Sequence, residues 1–121
     1  MNRHEKRVQI VFALYQHLLL SKDIVTSFVD NFDSDDEFVS EIRDDLVLNK
    51  EKYIEEIAGH LKRWSFDRLS YIDQAILLES YSEFYLQLNN KNIIIDEAIR
   101  IAKMYSDEDS YKYINGVLDN L

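Results

Sequence analysis

Apolar residues recur every three or four positions along almost the whole chain, and no stretch alternates apolar and polar long enough to specify a sheet. The spacing predicts a helix from about Arg3 to Leu20, with Val8, Val11, Phe12, Tyr15, Leu18 and Leu19 on its apolar stripe. Ser21 to Asp23 interrupt that stripe, and a short second helix follows from Ile24 to Asp30, with Phe28 facing inward. An acidic loop around Asp33 to Asp35 leads into a third helix, where Phe38, Ile42 and Leu46 stack four apart. Asn49 reads as an N-cap, its side chain accepting a backbone amide, before a fourth helix carrying Tyr53, Ile54, Ile57 and Leu61.

Trp64 to Leu69 is a connector, and Ser70 with Asp73 three residues on makes a capping-box-like start. The helix it opens, to about Leu88, is apolar around most of its circumference: Ile72, Ala75, Ile76, Leu77, Leu78, Tyr81, Phe84, Tyr85 and Leu88. A helix of that kind belongs at the centre of its fold. Asn89 to Asn92 turn the chain into a helix with Ile94, Ile95, Ala98, Ile99, Ala102 and Tyr105 on one face. Ser106 is expected to cap the last helix, with Asp107, Glu108 and Asp109 in its first turn, where the dipole favours negative charge. Tyr111, Ile114, Val117, Leu118 and Leu121 form its buried face, and Gly116 inside it marks a place where another backbone comes close. The expectation is an all-α, compact bundle of about seven helices.

With 121 residues, 46% hydrophobic and 31% charged, the chain has room for one self-sufficient core. Pro is absent and Gly occurs twice, so helices can run uninterrupted. There is no Cys, hence no disulfide and no thiolate metal site. The charged first residues are not a signal peptide, and no apolar run reaches the roughly 20 residues that span a bilayer. A cytoplasmic protein with no membrane partner is expected.

Net charge is −9, which by itself argues against nucleic acid, but the charge is unevenly placed. Residues 1–22 carry Arg3, Lys6, Arg7 and Lys22 against Glu5 alone, while eight carboxylates between Asp30 and Asp45 face only Arg43. A basic end on an acidic body can still present one surface to phosphate. Catalytic signatures are missing: no Gly-rich phosphate loop, no His-Glu-x-x-His pair, no nucleophile elbow. His4, His17 and His60 are scattered without a ligand pattern. The pairs Asp44-Asp45 and Glu55-Glu56 point about 100° apart on a helix and read as solvated faces. No catalytic residue, cofactor or metal is expected, and so no enzyme. Of the aromatic residues, Tyr15 and Tyr113 are the candidates for stacking on bases.

Several segments in order resemble the NusB family. Trp64-Ser65-Phe66-Asp67-Arg68-Leu69-Ser70-Tyr71-Ile72-Asp73-Gln74-Ala75-Ile76-Leu77 is similar to that family's Trp, a short Leu/Arg-containing turn, then Ile-Asp-x-Ala-Ile-Leu. Ile95-Asp96-Glu97-Ala98-Ile99 with Ala102-Lys103, Glu108-Asp109-Ser110, and Tyr113-Ile114-Asn115-Gly116-Val117-Leu118-Asp119 resemble its C-terminal segments, and Ala13-Leu14-Tyr15 its first helix. Residues 23–60 match in helical character alone.

The resemblance implies one NusB-like helical domain over residues 1–121. It implies an RNA-binding transcription antitermination factor that acts with ribosomal protein NusE. Together they would bind boxA-like single-stranded RNA within an RNA polymerase antitermination complex, supporting ribosomal RNA transcription in bacteria. Mapped onto this chain, the RNA surface comprises Arg3, His4, Lys6 and Arg7, then Tyr15, then Asp109 and Tyr113. Residue spacing agrees in part, because Arg3 and Arg7 lie one turn apart and would share a helix face. Four phosphate contacts to a single strand imply a slope of log affinity on log salt of about −3.

The basic cluster is thinner than the family's arginine run, with Glu5 inside it, and the body is more acidic. A NusB-like protein-interaction module with reduced or lost RNA binding is therefore the alternative. A third possibility, the NusB-like domain fused to an RNA methyltransferase, would need a Gly-rich cofactor domain that does not follow here.

Overall fold

The structure, a computed structural model, describes residues 1–32, 36–63 and 65–121. Among them are six α-helices, one short 3-10 turn and no strand. The helices are α1 (Arg3–Leu20), α2 (Ile24–Asn31), α3 (Glu37–Ala58), α4 (Tyr71–Tyr85), α5 (Lys91–Tyr105) and α6 (Ser110–Leu118), with the 3-10 turn Phe66–Arg68 between α3 and α4. The expected loop residues Asp33 to Asp35 and the connector's Trp64 lie outside the described residues.

Short polar side chains start most of these helices. Asn2, Asp23, Asp36, Ser70 and Asn90 each accept the backbone N–H three residues on, at 2.8–3.2 Å. Each satisfies an amide that the helix itself leaves unpaired. Two helix ends use left-handed residues: Ser21 at φ 55° closes α1, and Gln87 at φ 57° follows α4. Beyond Gln87 the Leu88 N–H bonds back to the Glu83 carbonyl, which ends α4 three residues before the expected Leu88.

Helix α4 is the centre. Every residue from Asp73 to Glu83 is buried, and α1, α3, α5 and α6 all pack against it. One apolar core runs through all six helices, from Ile10, Val11 and Leu14 through Ile42, Leu46 and Leu77 to Ile101 and Leu118.

Five expectations are corrected. Asn49 is not a cap: α3 continues through it, and its Nδ2 donates to Asp45 one turn back at 2.9 Å. Merging the two expected helices is what leaves six rather than seven. Asp45 is correspondingly not a solvated carboxylate; it also accepts from Tyr53 Oη at 2.8 Å and from Ser82 Oγ of α4 at 2.7 Å. Ser106 does not cap α6 but ends α5, and Gly116 meets no backbone, since a Cβ placed there would have nothing within 4 Å. Finally, the buried face of α1 is Arg7, Val8, Ile10, Val11, Ala13 and Leu14, rotated from the expected stripe so that Leu19 is exposed.

No helix among the described residues is long and apolar enough to cross a membrane.

Candidate nucleic-acid interface

The first turns of α1 carry the predicted cations, and the fold engages each of them. Arg7 is buried (4% exposed) and forks onto Glu83 of α4, with Nε at 3.0 Å and Nη2 at 2.7 Å. Glu83 also accepts from Asn89 at 2.8 Å. Burial, the largest single influence, pushes the Glu83 carboxyl up, but the hydrogen bonds from Arg7, Glu79 and Asn89 together with the Arg7 charge outweigh it and hold the group below its ordinary range. Glu79, one turn earlier and fully buried, goes the other way: desolvation, then the Glu83 charge, raises it well above the usual carboxylate range. Two carboxyl groups on one buried face are thus driven in opposite directions, and Arg7 pairs with Glu83.

Around that buried pair, His4 Nδ1 lies 2.6 Å from Glu97, and Lys6 lies 2.6 Å from Asp36, the cap of α3. Arg3 is exposed and sits over the Phe38 ring, 4.3 Å from its centroid. Arg3 makes no ion pair among the described residues.

Further along α1 the chain ends meet. Asp73, in the first turn of α4, is 2% exposed, yet its carboxylate accepts from Ser106 Oγ at 2.5 Å, Ser110 Oγ at 3.0 Å and Tyr113 Oη. This node pins the start of α6 to the start of α4. Burial and then the bond to Asp73 push the Tyr113 phenol far up, so it stays a neutral donor with its ring fixed. Beside the node a cleft of about 430 Å³ is lined by Tyr15, Tyr71, Tyr105, Ser70, Ser106 and Asp107. Phe12 packs edge-on against Tyr105, centroids 5.1 Å apart, which steadies that wall. Asp109 stands exposed at the head of α6 without a capping bond and pairs with Lys112 at 3.2 Å.

The fold therefore brings Tyr15 of α1 to the α5–α6 junction, where Ser106 and Tyr113 donate to the same Asp73 carboxylate. It separates them from the basic tip: Arg7 and Tyr15 are eight residues apart on one helix, roughly 12 Å along its axis. Among the described residues no group of three or more His, Asp or Glu could hold a metal ion. His17 instead bridges the Lys22 carbonyl and the Lys50 ammonium, neutral because burial lowers its pKa.

Comparison with known proteins matches residues 4–121 to the NusB family model. The chain belongs to the NusB family. It is 36% identical to the transcription antitermination proteins NusB of Bacillus cereus and Bacillus thuringiensis, covering 100% of this chain and 97% of theirs. Its fold is similar to T. maritima NusB, with a TM-score of 0.87 at 29% identity, over 99% of this chain and 89% of that one. It is similar also to a chain in a crystal structure of antitermination factors NusB and NusE in complex with double-stranded RNA (TM-score 0.83, 25% identity, 99% and 96% covered).

For a NusB-family chain read from sequence, three features were missed. Asp73 was seen as half of a capping box rather than as the node that positions α6. Tyr105 reads in the sequence as a position on the apolar face of its helix and Tyr71 only as part of a motif, although they flank the Ser70 and Ser106 breaks, where helix ends leave aromatic rings exposed. Lys62, Arg63 and Arg68, between α3 and α4, form a second group of bases that net charge by segment does not single out.

Proposed function

We propose that this NusB-family chain is a non-catalytic, cytoplasmic RNA-binding antitermination factor. It acts as one domain with ribosomal protein NusE on boxA-like single-stranded RNA, within an RNA polymerase antitermination complex that supports ribosomal RNA transcription. The observation that carries this reading is the convergence of Tyr15, from the first helix, with Tyr105, Ser106 and Asp107, from the last third of the chain, around one aromatic cleft beside the Asp73 carboxylate that holds Ser106 and Tyr113. Unpaired bases stack on such rings and offer their edges to nearby polar groups. In this reading Tyr15 and Tyr113 face bases, Arg3 with Lys6 and His4 supplies charge at the rim, and Asp109 shapes the head of α6. Arg7 holds the tip in place through Glu83 rather than reaching a phosphate.

The alternative, a protein-interaction module with reduced or lost RNA binding, draws on the carboxylate partners already held by His4, Lys6 and Arg7. A titration of boxA-like RNA against the chain, with and without NusE, at two salt concentrations separates the two. Wild type should bind more tightly with NusE, and Tyr15→Ala should weaken the complex about tenfold, as loss of one stacked base does. Charge reversal is informative at Arg3 and not at Arg7, where it would disrupt the core. Wild-type chain with NusE that ignores this RNA even in dilute buffer would leave the module reading standing.

A further inference from the structure

A second groove, of about 410 Å³, lies between the segment after α3 and the outer face of α6. His60, Lys62 and Arg63 form one wall, and Tyr113, Gly116 and Asn120 the other. No carboxylate among the described residues lines it, in a chain with 23 acidic residues. Lys62 and Arg63 are exposed and make no ion pair, hydrogen bond or ring contact among the described residues. Compensation of the α3 dipole does not account for them, because α3 ends at Ala58 and the effect fades within the last turn. On the opposite wall the Tyr113 ring is held by its hydroxyl bond to Asp73, and Gly116 leaves open the space that a side chain would fill.

We infer that this groove carries the phosphate backbone of a single RNA strand, with Lys62 and Arg63 as its phosphate contacts and the Tyr113 ring as a stacking surface. The inference rests on the proposed RNA-binding function and moves its main electrostatic contact away from the basic tip. Continuity supports it. Tyr113 of this groove and Ser106 of the Tyr15 cleft bond to the same Asp73 carboxylate, so a strand leaving the cleft passes over the head of α6 into the groove. Charge complementarity favours a polyanion, and Arg suits bidentate phosphate contact while Lys acts as a point charge.

Two variants test it by different means, neither touching the core. Lys62→Gln with Arg63→Gln removes the charge; Gly116→Leu fills the groove while improving helix propensity. Both are measured by titration of a boxA-like RNA oligonucleotide against the complex with NusE, across a salt series, alongside NusE binding without RNA. The charge variant should lose about tenfold in RNA affinity and make the slope of log affinity on log salt shallower by about 1.4, the share of two phosphates on a single strand. Gly116→Leu should weaken RNA without changing the slope so much, and NusE binding should be unchanged in both. Wild-type affinity and slope in both variants would overturn the groove assignment while leaving the RNA function intact. Loss of NusE binding instead would make the groove a protein surface and overturn it equally. Absence of RNA binding by the wild-type complex would remove both the function and the groove.

Discussion

Arg7 shows how one residue's role depends on a small rotation of its helix. Read beside Arg3 and Lys6 it is a basic residue at a helix start, suited to phosphate. Its position three, four and seven residues before Ile10, Val11 and Leu14 puts it on the buried stripe instead, and the fold spends it on Glu83. Removing it by Arg7→Met should cost about 3–5 kcal/mol in chemical denaturation, because Glu83 would be left charged and unpaired in the core. Glu79 gives a pH signature. Its folded pKa is raised, so its contribution to stability is complete below the ordinary Glu range and lost as pH rises towards the folded value. Glu79→Gln keeps an N–H donor towards Glu83 without that loss. The stability gain of this variant over wild type should therefore grow from pH 5 to pH 8, while the acid limb set by the lowered Asp23, Asp36 and Glu83 remains. A gain that does not change with pH would mean that Glu79 is charged in the fold.

At the scale of elements, the apolar periodicity was enough to place α1, α2, α4 and α5 to within a few residues and to identify α4 as the central helix. Helical wheels report burial directly, and α4 is buried on every side. What the pattern could not supply was the destination of polar side chains. An Asn followed by an apolar run looks the same whether it caps a new helix or bonds back to a carboxylate within an unbroken one; only the partner, Asp45, decides for Asn49. Ser106 failed for the same reason, since its hydroxyl is committed to Asp73 across the bundle. The site followed this division: Tyr15 and Tyr113 were legible as aromatic positions, whereas the groove required knowing which cations lacked partners. A pair of alanines separates cap from interior. Asn90→Ala should cost about 1 kcal/mol, the worth of a true N-cap. Asn49→Ala should change stability by less than about half of that, because better helix propensity offsets the lost bond to Asp45. Equal costs for the two, measured by urea midpoint, would argue that α3 breaks at Asn49.

The molecule as a whole is an anion that, in the proposed function, must hold a polyanion, and the arrangement of its ion pairs sets how strongly salt matters. Counting every cation at the tip implies four phosphate contacts and a slope of about −3. The fold has already assigned carboxylates to His4, Lys6 and Arg7, which leaves Arg3 at the tip and Lys62 with Arg63 in the groove. Three contacts on a single strand give a slope of about −2. The acidic body flattens it further, because its repulsion of the strand fades once the screening length falls to about 10 Å near 0.1 M salt. The chain alone should thus bind RNA weakly and lose no more than about 16-fold in affinity between 50 and 200 mM salt, and tight binding should depend on a partner that adds contacts. Fluorescence anisotropy over that range checks the slope. A value of −4 or steeper would require the tip to release its ion pairs and turn Lys6 and Arg7 outward on binding, and the Arg7–Glu83 pair would then be a switch rather than an anchor.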